Sequence, residues 1–189
     1  MEAEAAFRAL FTRAYPALVR YAHFRGLDDQ DSNDLVAATL EVAWRRLAEL
    51  PADDPMPWLY GVARNLRRNQ LRSASRRDEL FTKLPPPQPE VGAGEATPLD
   101  TAALRSALAR LDEDDQEILR LVAWDGLSPS QAAVALGCTA VAARTRLHRA
   151  RNRLAARLGF DPRLQRACPA VQVPNVNDGH DFNKEASDG

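Results

Sequence analysis

The sequence predicts an all-α protein of two small helical domains joined by a flexible Pro-rich linker. Three observations predict it. In a chain of 189 residues that is 45% hydrophobic, valine and isoleucine are scarce beside alanine and leucine, which favours helix over sheet. Apolar residues recur at helical spacing in two blocks, 4–77 and 101–160. Between them the stretch KLPPPQPEVGAGEATP combines proline, glycine and acid with almost nothing to bury, so 78–100 reads as an extended linker. The tail 161–189 is polar, carries Pro162, Pro169 and Pro174, and reads as disordered.

The first block holds three helices. One covers about Glu4 to Phe24, with Phe7, Leu10, Phe11, Leu18 and Tyr21 as its core face. The second follows the turn around Asp28 to Asp31, where Ser32 or Asn33 offers a cap, and continues to about Leu50. Leu35, Val36, Leu40, Ala43, Trp44 and Leu47 give it one broad apolar face. After the loop PADDPMP the third helix runs from Pro57, suited to a first helical turn, to about Ser75. Leu59, Val62 and Leu66 share one side of it. Arg64, Arg68 and Arg72 share the opposite side at four-residue intervals, bordered by Asn65 and Asn69.

The second block starts with a helix from about Ala103 to Leu111, then the acidic turn DEDD, then a helix from Gln116 to Trp124 ended by Gly126. From Leu127 to Leu154 the chain reads as a helix-turn-helix. Ser128 caps its first helix, and Ala133 precedes Gly137 by four residues, a small residue at the crossing and a glycine at the reversal. In its second helix Ala143, Leu147, Ala150, Leu154 and Leu158 face a core. Arg146, Arg149 and Arg153 fall on a neighbouring face. A helix backed by its partner, with guanidinium groups forward, suits a DNA major groove.

The net charge of −1 argues against a nucleic-acid partner only as an average, because the charges are segregated. Val62 to Arg77 carries six arginines and no acid, and Arg144 to Arg166 carries eight arginines against Asp161 alone. Asp28 to Asp54 is predominantly acidic. Arginines with no acid in their own helix point to phosphate contacts, and the acidic stretch points to a basic partner. Cys138 and Cys168 form no CxxC pair and have no histidine cluster beside them, so neither a disulfide framework nor a metal site is expected. No apolar run is long enough for a membrane span and nothing resembles a signal peptide, giving an expected cytoplasmic location. There is no Gly-rich phosphate loop or nucleophile elbow, and His23, His148 and His180 are scattered, so neither an enzyme nor a cofactor is expected.

Three segments carry a resemblance to a known family. NDLVAATLEVAWRRL (33–47), PWLYGVARNLRRNQLR (57–72) and the stretch 108–151, which includes RLHRAR, resemble the extracytoplasmic function (group 4) sigma factors of the sigma-70 family, the small promoter-recognition subunits of RNA polymerase. The likeness extends from about Phe7 to Leu158. It implies that the first segment lies in sigma region 2 and docks on the clamp coiled coil of the polymerase β′ subunit through Asp34, Leu35 and Glu41, with the β subunit also a partner. Trp44, on the same helix, is expected in the core. The second segment implies −10 element contacts by Arg64, Asn65, Arg68 and Arg72, beside a loop (51–56) that captures a flipped base while Trp58 anchors it from the core. Region 4 implies −35 element contacts by Arg144, Arg146 and Arg149. The resemblance also implies an anti-sigma factor as a partner.

The chain departs from the family pattern at three places. Ala37 and Ala38 stand where Gln-Glu is usual, removing polar contacts from the expected polymerase face. Ala143 stands where Val or Ile is common, and the tail after Phe160 has no counterpart.

Overall fold

The structure is a computed structural model that describes residues 2–78 and 98–159. The readings of the linker and of the tail therefore fall almost wholly outside the described residues. Seven α-helices make up the described fold, with no strand among the described residues: α1 (Glu2–His23), α2 (Asp29–Arg45), α3 (Met56–Asp78), α4 (Pro98–Ala109), α5 (Glu113–Ala123), α6 (Pro129–Leu136) and α7 (Ala140–Arg157). A short 3-10 turn, Leu47–Glu49, ends the second helical segment instead of α-helix.

Local chemistry sets the ends of these helices. Asp28 caps α2, its side chain accepting from the Asp31 backbone N–H at 2.8 Å. The expected caps stand differently: Ser32 is buried inside the helix, its hydroxyl turned to the Leu27 carbonyl, and Asn33 lies further along. The run Asp112 to Asp115 is not a separate turn. Asp112 is the N-cap position of α5, and Glu113, Asp114 and Asp115 form its first turn, where negative charge suits the positive end of the helix dipole. Ser128 forms a full capping box with Gln131 at the start of α6. Gly137 ends α6 with φ +65°, a left-handed conformation that favours glycine. Thr139 then caps α7, accepting from the Ala142 N–H at 3.2 Å.

In the N-terminal unit α1, α2 and α3 pack around Leu18, Tyr21, Leu35, Val36 and Leu59, all at most 1% exposed. In the C-terminal unit Ile118 and Leu121 of α5 meet Leu147 and Ala150 of α7 behind α6. Each such leucine or isoleucine stabilises the fold by about 1.5–3 kcal/mol through burial alone. Ala143 is 0% exposed, so the small residue at that position lets α7 sit close to its neighbours. Phe7 is half-buried, but Phe11 is 43% and Trp44 is 48% exposed, which corrects their expected place in the core.

The two units do not stand apart. Their apolar residues form one contiguous buried cluster, because α3 of the first unit packs on α6 of the second. Gly61 makes this crossing close: a Cβ there would lie 3.2 Å from the carbonyl oxygen of Ala135. Sequence periodicity within each unit carries no signal for that contact, since it joins residues far apart in the chain.

Candidate nucleic-acid interface

Residues 51–56 lead into α3, which presents the first arginine group. Arg64 is only 11% exposed, its Nη2 lying 2.6 Å from Asp114 Oδ1 of α5. Arg68 is half-buried, and Asn65 and Arg72 are exposed, with Arg72 donating to Asn69 Oδ1 at 2.8 Å. Arg67, one residue from the expected set, is 17% exposed, lies 3.8 Å from Glu113 and donates to the Arg25 carbonyl oxygen. Arg64 and Arg67, with no acid near them in sequence, thus find their acids on the other unit.

The second group stands on α7. Arg144 and Arg149 are exposed, while Arg146 is half-exposed with Nη1 3.4 Å from Asp114 Oδ2. Arg153 bonds Asp112 at 3.0 Å and also Asp115. It therefore braces α7 against the start of α5 and is not turned wholly outward. His148 pairs with Asn152 one turn along the helix. Val141, in the first turn of α7, is an apolar side chain 64% exposed.

The α2 surface differs from its sequence reading. Asp34 and Glu41 are exposed, Glu41 pairing with Arg45 one turn on. Leu35, by contrast, is 1% exposed and faces the core, holding the helix from behind. The exposed stripe is Asp34, Ala37, Glu41 and Trp44. Trp44 meets Phe7 edge-on at 5.0 Å, and the stacked pair Phe11 and Tyr15 continues the aromatic surface along α1. The spacing of Phe7, Phe11 and Tyr15 at four-residue intervals is the sequence signal for this surface, and it is indistinguishable there from a core face. Trp58 is half-buried against the core, at the start of α3.

Beneath these surfaces lies a buried polar cluster that the sequence did not announce. Arg25, with its side chain 0% exposed, reaches from the end of α1 to Glu117 of α5 and to Asp125. Its Nε and Nη2 donate to Glu117 at 3.0 Å each, and Nη2 donates to Asp125 Oδ2 at 2.9 Å. Tyr21 stacks its ring 3.4 Å under the guanidinium and donates its hydroxyl to Glu117 Oε1 at 3.0 Å. Burial opposes the charge on Glu117, but the Arg25 guanidinium overcomes it and holds the carboxyl below the usual carboxylate range. Burial wins at Asp125, whose pKa is raised despite Arg25, and its Oδ1 is buried without a partner. Burial likewise pushes the Tyr60 hydroxyl up to about 12.

These opposite shifts set a pH dependence. A depressed carboxyl pKa stabilises the contact above the ordinary value, and that stability is lost only as pH falls through the depressed one. A raised pKa acts the other way, so protonating Asp125 first relieves a buried charge. The contact between the units is therefore expected to persist through mild acid and fail only below the usual carboxylate range. Small-angle scattering against pH checks this, and separation of the units near neutral pH would contradict it.

The geometry defines a helix-turn-helix protein with a second arginine-bearing helix on a separate unit. Residues 10–77 match the family model for sigma-70 region 2, and residues 101–154 match that for sigma-70 region 4. The sigma factor NccH of Alcaligenes xylosoxydans xylosoxydans is 33% identical over 165 residues, covering 81% of this chain and 87% of that protein. CnrH of Cupriavidus metallidurans is 31% identical over 172 residues, covering 82% of this chain and 88% of CnrH. Among solved structures, the sigma factor RpoE of Bartonella quintana in complex with the anti-sigma factor NepR superposes with a TM-score of 0.68 at 27% identity, over 82% of this chain and 98% of that one. The chain belongs to the sigma-70 family, among its extracytoplasmic function members.

Proposed function

We propose that this chain binds core RNA polymerase and directs it to promoters, reading the −35 element with α7 and the −10 element with α3, and helping to melt the latter. One observation carries the reading. A capped helix-turn-helix and a separate arginine-bearing helix occur in one chain, at the positions where sigma-70 regions 4 and 2 match. Arg144, Arg146 and Arg149 meet phosphates and base edges of the −35 element, and Arg64, Asn65, Arg68 and Arg72 grip the −10 element. Residues 51–56 beside them receive a flipped base, where stacking and hydrogen bonds offset an unstacking cost of a few kcal/mol. Asp34 and Glu41, with exposed Trp44, form the face that meets the basic partner on the polymerase clamp. No covalent chemistry is assigned to the chain.

An anti-sigma factor completes the reading. RpoE was solved with the anti-sigma factor NepR, and CnrH with the cytosolic domain of CnrY at a TM-score of 0.58 and 30% identity, over 82% of this chain and 89% of CnrH. Such a partner covers the polymerase or DNA surfaces of this chain until a signal releases it.

The test of the DNA role is Arg146→Ala. It is expected to lower −35-dependent transcription by about 5- to 100-fold, the worth of one good base-edge contact, while leaving polymerase binding intact. Equal loss of both would make Arg146 a support of the fold instead.

A further inference from the structure

We propose that Arg67 of α3 and Arg120 of α5 form a binding site for a phosphate-class anion, distinct from the residues proposed to meet DNA and polymerase. Arg67 donates Nη2 to the Arg25 carbonyl oxygen at 3.4 Å, and its Nη1 stands 3.8 Å from Glu113. Its Nε is buried with no hydrogen-bond partner. Arg120, in the last turn of α5, is half-buried and makes no side-chain hydrogen bond or ion pair among the described residues. Burial first, then the charges of Arg25 and Arg67, lower its pKa against the pull of Glu117.

The local charges do not balance. Arg25 takes both buried carboxylates, Glu117 and Asp125. Glu113, the acid beside Arg67, has its side chain 54% exposed and lies beyond hydrogen-bond distance. Arg120 has no acid of its own. Buried donors are almost always hydrogen-bonded, and an exception calls for a ligand or an ion. Guanidinium forks from two helices ask for more acceptor oxygens, and more charge, than one carboxylate presents. A phosphate group supplies both. An aromatic pair borders the arginines: Trp124 follows Arg120 by one helical turn, Phe24 adjoins Arg25, and the two rings lie 6.3 Å apart at 51°. Both are half-buried, so the phosphate can arrive bare or on a nucleoside whose base meets these rings.

The test uses the full chain and two probes, tripolyphosphate and a nucleoside triphosphate, with sodium chloride at matched ionic strength as the control. Calorimetric titration reads affinity, and thermal unfolding reads the effect of the bound anion on stability. Arg120→Met removes the uncompensated charge and keeps the length of the side chain. Arg144→Ala/Arg149→Ala removes exposed arginines of α7, the other place where a polyanion could settle.

Saturable binding of tripolyphosphate is expected, weakened about tenfold or more by Arg120→Met, the worth of one charge-assisted contact. In chloride alone Arg120→Met is expected to melt above the unaltered chain, because a half-buried cation without a partner is gone. Tripolyphosphate is expected to reverse that order by raising the midpoint of the unaltered chain alone. A purely structural arginine would show no such reversal. Tighter binding of the nucleotide than of tripolyphosphate, with the difference lost in Trp124→Leu, assigns a nucleotide; equal binding assigns the bare polyphosphate. The proposal is overturned by the absence of saturable binding, or by an equal rise of both midpoints, which general ionic effects explain. Loss of binding in Arg144→Ala/Arg149→Ala with none in Arg120→Met would put the anion on α7 and overturn it as well.

Discussion

Arg25→Met is expected to separate the two units while leaving each folded. Among the described residues, Arg25 is the cation bonded to both Glu117 and Asp125 in a fully buried cluster. Removing it leaves two carboxylates buried in low dielectric, and breaking a buried pair in this way typically costs about 3–5 kcal/mol. The chain has an escape that a single domain lacks. Arg25 belongs to the first unit and both acids to the second, so opening the interface returns the carboxylates to water. The penalty falls on closure and spares the helices. Small-angle scattering is expected to show expansion, with helicity by circular dichroism unchanged. Glu117→Leu/Asp125→Leu added to Arg25→Met is expected to restore closure, because apolar replacement of a buried ionic group is often neutral or stabilising. Expansion that persists in this triple variant would show that the stranded carboxylates are not what opens the interface.

Replacing Arg144, Arg146 and Arg149 together by alanine is expected to abolish −35-dependent transcription, a loss of at least about 100-fold. Each base-edge contact is worth about 1–3 kcal/mol and each phosphate contact adds to the salt slope. None of the three belongs to the buried set of α7, which is Ala143, Leu147 and Ala150, so the helix is expected to keep its packing. Binding to core polymerase is expected to be unchanged. Parallel loss of polymerase binding would place these arginines at the wrong interface.

Much of the fold was legible because its signals are local. Gly137 and Ser128 act within a few residues of themselves, and a turn that needs positive φ or a capping box declares itself in sequence. Helix edges were less legible where two acceptors competed: Asp28 takes the cap of α2, four residues before Ser32. The faces of α2 are ambiguous in sequence. Leu35 and Trp44 both look apolar on a wheel, but α1 and α3 cover only Leu35, leaving Trp44 to lean on Phe7 at the rim. The contacts between units were not legible. Arg25 and Glu117 are separated by 92 positions, and nothing near either one states that the other will neutralise it. The arginines of α3 illustrate the same limit, since absence of acid nearby in sequence did not mean absence of acid in space.

The proposed function puts α2, α3 and α7 on one axis, from polymerase to the two promoter elements. The measurement that tests this most directly is binding of the purified full chain to core RNA polymerase free of other sigma factors, followed by run-off transcription from genomic fragments. A stable complex that yields transcripts from discrete start sites is the predicted result. Failure of the folded chain to bind core polymerase, with specific duplex binding retained, would contradict the account and leave a conventional helix-turn-helix regulator.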